Sequence, residues 1–450
     1  MVSLEGVVPD VLFLILLRAS GMRELWGLIR ASPRIYAIFR ERRDAVLSAV
    51  ITREIGIDIM DEARIALSTS RFDSRGLSKA QAIEWVAKYN STQLNNSSLP
   101  EAPHGLEAMS LWRRHRDVKF IASLFLQEKL PILESMGLLG DKTLTIDRLS
   151  DVERMRIYRS IYQYAIYGDV FYFDPERKGA SKGVIIGGYE QSHIFLTSIL
   201  AWQVEELSTM NDFITDQIMK KWQEAEDDLY KSLQDDPTTW DVERKHDSRW
   251  ETSFFSATNK ASFSHWQHYF ATLTIAELRD VFAGTGASLV KVIKKYAHRW
   301  GHAFLNEALE EEPLHATFYT SEYEAQEEAR VGGVQVNFKR DAVELPNEAW
   351  LWAHKYQPCE LYTTSSHDFA PGNGLRRFGY VFWDSHRLQR SQILQKGPQN
   401  TADYALANFP RPEYQTESVE ERIRKLAQSF NPPEPWSSHL SNKLPFSPET

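Results

Sequence analysis

Seven consecutive apolar residues, Val11 to Leu17, follow a proline and an aspartate in VVPDVLFLILLRASG, residues 7–21. Such a run is a secretory leader, a membrane span, or a helix that something must cover. A leader carries a basic segment ahead of its apolar core. Here the lead-in MVSLEGVVPD holds Glu5 and Asp10 and neither Lys nor Arg. A bilayer takes about 20 apolar residues to cross, and this run stops at Arg18. A covered helix remains. Val8, Val11, Leu12, Ile15 and Leu16 recur at helical spacing and predict one packed face. Pro9 suits the first turn, where no N–H is needed, and Asp10 suits the positive end of the helix dipole. Phe13, Leu14 and Leu17 lie off that stripe and are apolar too. The helix therefore needs cover on more than one side, from the rest of the chain or from another protein.

Gly21 ends this helix, and MRELWGLIR (22–30) predicts a second short apolar helix, with Leu25, Leu28 and Ile29. Ser32 is an N-cap followed by Pro33 at the first helical position, and Ile35, Tyr36 and Phe39 give the third helix its apolar face. Val46, Val50 and Ile51 extend the pattern into a further helix ending near Gly56. This order resembles the F-box, and more narrowly the F-box-like start of a large group of filamentous-fungal proteins. Val8 and Asp10 stand where that group carries Leu and Glu, and the RASGM loop lacks its usual Pro and Asp. The resemblance implies that residues 7–40 dock on the Skp-type adaptor of a cullin-RING ubiquitin ligase. Pro9, Leu12, Phe13, Leu16, Leu25, Ile29 and Tyr36 would build the hairpin or its partner face, and the rest of the chain would present an unknown protein substrate.

Four later segments extend the likeness over most of residues 7–395. LWRRHRDV (111–118) is similar to a Leu-x-Arg-x-x-Arg-x-Val helix. LSDVERMRIYRSIYQYAIYGDVF (149–171) is similar to a Leu-Ser-x-x-Glu-x-x-Arg-x-x-Arg-x-Tyr-Arg helix. WQVEEL (202–207) is similar to Trp-Glu-Val-Glu-Gln-Leu, with Gln203 where an acid is usual. LRRFGYVFWDSHRL (375–388) is similar to a Trp-Gly-Tyr-x-x-Trp-Asp-x-x-Arg-Leu signature, with Phe378 for the first Trp.

At 450 residues, 42% hydrophobic and 12% aromatic, the chain can bury a large core. Its single cysteine, Cys359, excludes an internal disulfide and a cysteine zinc cluster, and fits a reducing cytoplasm or nucleus. A net charge of −9 offers no basic excess for nucleic acid. No later stretch is long and apolar enough for a membrane span, so neither partner is expected.

Periodicity predicts an all-α fold with minor β. Helices are expected over 57–67, 77–90, 106–133, 149–173, two within 192–233, two or three within 271–312, and 345–356. Residues 91–105 read as a loop. LHATFYTSEY and VGGVQVNFKR, within 313–345, suggest a small β-hairpin. Four regions result: the F-box-like segment 1–56, a helical body 57–312, a mixed segment 313–395, and a Pro-rich tail 396–450 with one amphipathic helix over 416–430.

Catalytic signals are weak. His298 and His302 fall at i, i+4 and His265 and His268 at i, i+3, but Arg299 stands where a zincin needs Glu. SSHD (365–368) reads as a polar turn before PGNG, and FAGTGAS (282–288) as an interhelical turn. We assign no catalytic residue, cofactor or metal from sequence. Two other readings stay open: a helical scaffold with a degenerate F-box, and an enzyme using the His265–His302 region.

Overall fold

A computed structural model describes residues 6–70, 77–94, 103–139, 144–171, 186–196, 199, 201–235, 272–286, 288–289, 291–292, 305–310, 347–356 and 371–410. Every regular element among them is a helix, so the fold is all-α. The β-hairpin expected within 313–345, the helix over 416–430, the SSHD turn and Cys359 lie outside the described residues. The chain divides into two units: residues 1–214, 272–279 and 302–411, and residues 215–271, 280–301 and 412–450.

The first unit starts with four short helices: α1 (Pro9–Leu17), α2 (Met22–Ala31), α3 (Pro33–Glu41) and α4 (Arg43–Ile55). Their ends follow local chemistry. Pro9 and Pro33 open α1 and α3. Ser32 Oγ accepts the Arg34 N–H at 3.2 Å. Gly56 ends α4 at φ 96°, a conformation that costs glycine little. α1 packs on α3 and α4, and α4 in turn on α7.

The helices α5 (Met60–Thr69), α6 (Lys79–Leu94), α7 (Gly105–Ser135) and α8 (Asp151–Phe171) continue the unit. α6 runs past Asn90 into residues read as loop. On α7, Leu111, His115, Val118, Ala122 and Phe125 are all buried, as their spacing predicts. α8 opens with a reciprocal capping box: the Glu153 N–H donates to Ser150 Oγ and the Ser150 N–H to Glu153 Oε2, both at 3.2 Å. α9 (Gly188–Ile194) and α10 (Ala201–Asp235) follow, the latter shared between the units at Ile214.

After α11 (Ile275–Ala283) and α12 (Leu305–Glu310) come α13 (Glu348–Tyr356), α14 (Pro371–Phe378), α15 (Ser385–Arg390) and α16 (Pro398–Asn408). PGNG (371–374) forms the first turn of α14. α16 falls within the stretch read as tail, and it packs on α14 with Ala402 and Ala405 buried. In the second unit, Ile218, Met219, Trp222, Val281, Phe282 and Leu289 are buried, and Lys221 Nζ donates to the Gly284 carbonyl at 3.2 Å. Within FAGTGAS, Gly284 and Thr285 break the helix, with Ser288 Oγ accepting the Thr285 N–H.

Candidate functional site on the N-terminal hairpin

α1 is apolar on every side, and the structure covers only part of it. Leu12 and Leu16 are buried on the seam with α3 and α4. Val8, Val11 and Leu14 stay 61%, 45% and 54% exposed. The five-residue stripe expected as the packed face is thus only partly packed: Val8 and Val11 face outward. The reason is that a short helix lying on a seam between two others buries a narrow strip, not a broad face. Phe13, Ile15 and Leu17 are half-buried. The Arg42 guanidinium lies 4.5 Å from the Phe13 ring centroid, and Arg42 also reaches Asp10 at 3.4 Å.

The seven residues singled out on the hairpin therefore divide. Leu12, Leu16, Leu25 and Ile29 are interior and hold the helices together. Pro9 and Tyr36 are exposed, and Phe13 is half-exposed. Val11 and Leu14 join the accessible group, which uniform hydrophobicity had hidden.

Three of the segments that carry the resemblance meet elsewhere in this unit, in buried ion pairs. Arg159 of α8 holds Glu206 of α10 through two bonds, of 2.6 and 3.0 Å, with both side chains fully buried. Arg376 of α14 holds Glu205 through two bonds of 2.8 Å. Burial by itself favours the neutral acid at Glu205, while the bidentate guanidinium favours the carboxylate. The fork geometry decides for the ion pair. For Arg376, burial opposes the charge, but Glu205 and Asp212 outweigh it and hold the guanidinium above its ordinary value.

Glu153, the capping-box acid, also receives Arg387 Nη2 at 2.8 Å and the Asp384 N–H at 3.2 Å. The i, i+3 spacing of Asp384 and Arg387 allows either a mutual side-chain pair or service in a buried network. The mutual pair does not form. Instead Asp384 Oδ1 accepts the Arg387 backbone N–H at 2.8 Å as an N-cap, and the guanidinium turns to Glu153. Gln203, standing where an acid is usual, accepts from Gln163 Nε2 at 3.3 Å. Gly379 takes φ 69°, and an added Cβ would lie 3.0 Å from Phe125 Cζ. Tyr380, Phe382 and Trp383 are wholly buried, as core packing requires. These residues clamp α8, α10 and the C-terminal helices together.

Buried His115 sits 2.9 Å from the Tyr162 hydroxyl through Nδ1. Burial, with a smaller push from Lys119, lowers its pKa from 6.5 to about 3. The folded chain therefore keeps His115 neutral while the unfolded chain takes up a proton below pH 6.5. Stability falls as pH falls through that window, by up to about 1.4 kcal/mol per pH unit. We expect His115→Gln to reduce the loss between pH 7 and pH 5 by about 2 kcal/mol, read by urea denaturation at each pH.

Among the described residues, no group of three or more His, Cys, Asp or Glu side chains is placed to hold a metal ion. His265, His268, His298 and His302 lie outside the described residues. An open groove of about 1000 Å³ runs along α4 and the start of α8, where Asp151 and Arg154 pair with each other. No helix among the described residues is long and apolar enough to cross a membrane. No protein-family model, no curated protein and no solved structure matches the chain.

Proposed function

We propose that the chain is an F-box-like substrate-recognition subunit, with α1–α3 docking on a Skp-type adaptor of a cullin-RING ubiquitin ligase and the remaining helices presenting a protein substrate. The observation that carries this reading is the uncovered apolar side of α1: Val8, Val11 and Leu14. Apolar side chains aligned on one helix and left to water mark an interaction site more often than a structural need. The order of α1–α3 and the capping of α3 by Ser32–Pro33 support the F-box resemblance. The rival reading makes the hairpin a flap of a helical scaffold. It calls for Phe13 and Leu17 to be buried against residues beyond 60. Both are half-exposed, and the main packing of α1 is on α3 and α4.

The test is co-expression with a fungal Skp adaptor followed by co-purification. Leu14→Asp should weaken binding by about thirtyfold or more, the effect of losing an interface anchor of about 2 kcal/mol. Its urea midpoint should match the parent, because Leu14 faces water in the free chain. Phe13→Asp should also lose binding, with some stability lost through the Arg42 contact. Adaptor binding undiminished in both variants would refute the face assignment.

A further inference from the structure

On α2, Arg23, Trp26, Gly27 and Arg30 fall at i, i+3, i+4 and i+7, which is one helical face. Trp112, Arg116 and Lys119 of α7 and Glu54 of α4 complete the lining of an open cavity of about 750 Å³. Glu54 is engaged within this wall: it accepts the Met22 N–H at 2.8 Å and pairs with Lys119 at 3.3 Å. Arg116 lies 3.6 Å from Asp117, whose carboxylate is also held by Arg279. Arg23 and Arg30 are exposed, and neither has an ion-pair partner among the described residues. The two indoles are half-buried. At Gly27 an added Cβ would meet nothing within 4 Å, so the helix backbone there lies open to the cavity.

We infer that this cavity binds an acidic peptide segment of a partner protein, one that carries an aromatic side chain. Guanidinium groups without partners pair with carboxylates in bidentate fashion. Indole faces take an aromatic side chain in offset or edge contact. A long nucleic acid fits less well: the cationic cluster is small, and the chain as a whole carries a net charge of −9. The site does not depend on the adaptor reading, because its cationic and aromatic lining lies on α2 and α7 and uses none of the exposed α1 residues.

The test is fluorescence anisotropy of the full chain with a labelled synthetic peptide of alternating Glu and Tyr. A peptide of Glu alone and a single-stranded oligothymidine serve as comparisons. The Glu-Tyr peptide should bind saturably, more tightly than Glu alone, and more weakly as salt rises. Arg23→Glu with Arg30→Glu should weaken it by about tenfold or more, the size of about 1.4 kcal/mol. Gly27→Leu should block it by filling the cavity, while the helix gains propensity and the fold is kept, as thermal melting would show. No saturable binding, or binding indifferent to Gly27→Leu and to the charge reversals, would overturn the inference. Tighter binding of oligothymidine through the same arginines would overturn it in favour of a nucleic-acid surface.

Discussion

Replacing Arg376 with methionine should destabilise the first unit by about 3–5 kcal/mol, because it strands the buried Glu205 carboxylate without its partner. The cost comes from the solvation Glu205 gave up on folding, not from the net worth of the pair. Glu205→Leu should cost a similar amount by stranding Arg376. The double variant, with both groups apolar, should recover most of the loss, since a buried ion pair and an apolar pair of like volume are often near equal in stability. Asp212 Oδ2, 3.7 Å from Arg376, is buried and loses that cation in the double variant, so the recovery falls short of complete. Tryptophan fluorescence in urea reads all three. If the two single losses simply add in the double variant, the side chains act through independent packing and the clamp between α10 and α14 is not an ion pair.

The second large effect concerns Gly374. A Cβ there would stand 2.5 Å from the Ala402 carbonyl oxygen and 2.7 Å from its carbonyl carbon and Cα. All three are backbone atoms of α16, so no rotamer change relieves them, and α14 and α16 must move apart. An exposed helical glycine gains up to about 1 kcal/mol on change to alanine. Here overpacking reverses the sign, and Gly374→Ala should lower stability by about 1–3 kcal/mol. Ala402→Gly should not rescue it, because the methyl of Ala402 is not what the new Cβ meets. A thermal melt of both variants decides: a raised midpoint for Gly374→Ala would contradict the close approach of α14 and α16.

What the sequence shows and what it hides follow from the kind of information each feature carries. Ser32–Pro33, the Ser150/Glu153 box and Gly56 are local signals, and each ends or begins a helix where it reads. The α7 stripe from Leu111 to Phe125 is legible because polar residues between its members fix the phase of the 3.6-residue period. α1 has no such contrast. With every side apolar, periodicity cannot say which side is buried, and the stripe it predicts as packed includes Val8 and Val11, which face out. The α14–α16 contact is hidden for the opposite reason. Backbones approach that closely only over small residues, so Gly374, Ala402 and Ala405 leave no apolar stripe, and the two stretches read as mixed segment and tail. The ion pairs join residues far apart in the chain, 171 positions for Glu205 and Arg376 and 234 for Glu153 and Arg387. Charge at each end is visible in the sequence, but the pairing is made only by the fold. The accessible face on α1 and the cavity against α2 were likewise invisible until burial separated Leu12 and Leu16 from their neighbours.

The central claim is that the open side of α1 is a docking face, and calorimetric titration of the folded, monodisperse chain with a fungal Skp adaptor tests it most directly. The expected result is saturable binding at micromolar affinity or tighter, with a negative heat-capacity change from apolar burial and loss of the signal in Leu14→Asp. Absence of any binding heat across temperatures, with no adaptor co-migrating in gel filtration, would contradict it and leave the hairpin as part of a helical scaffold.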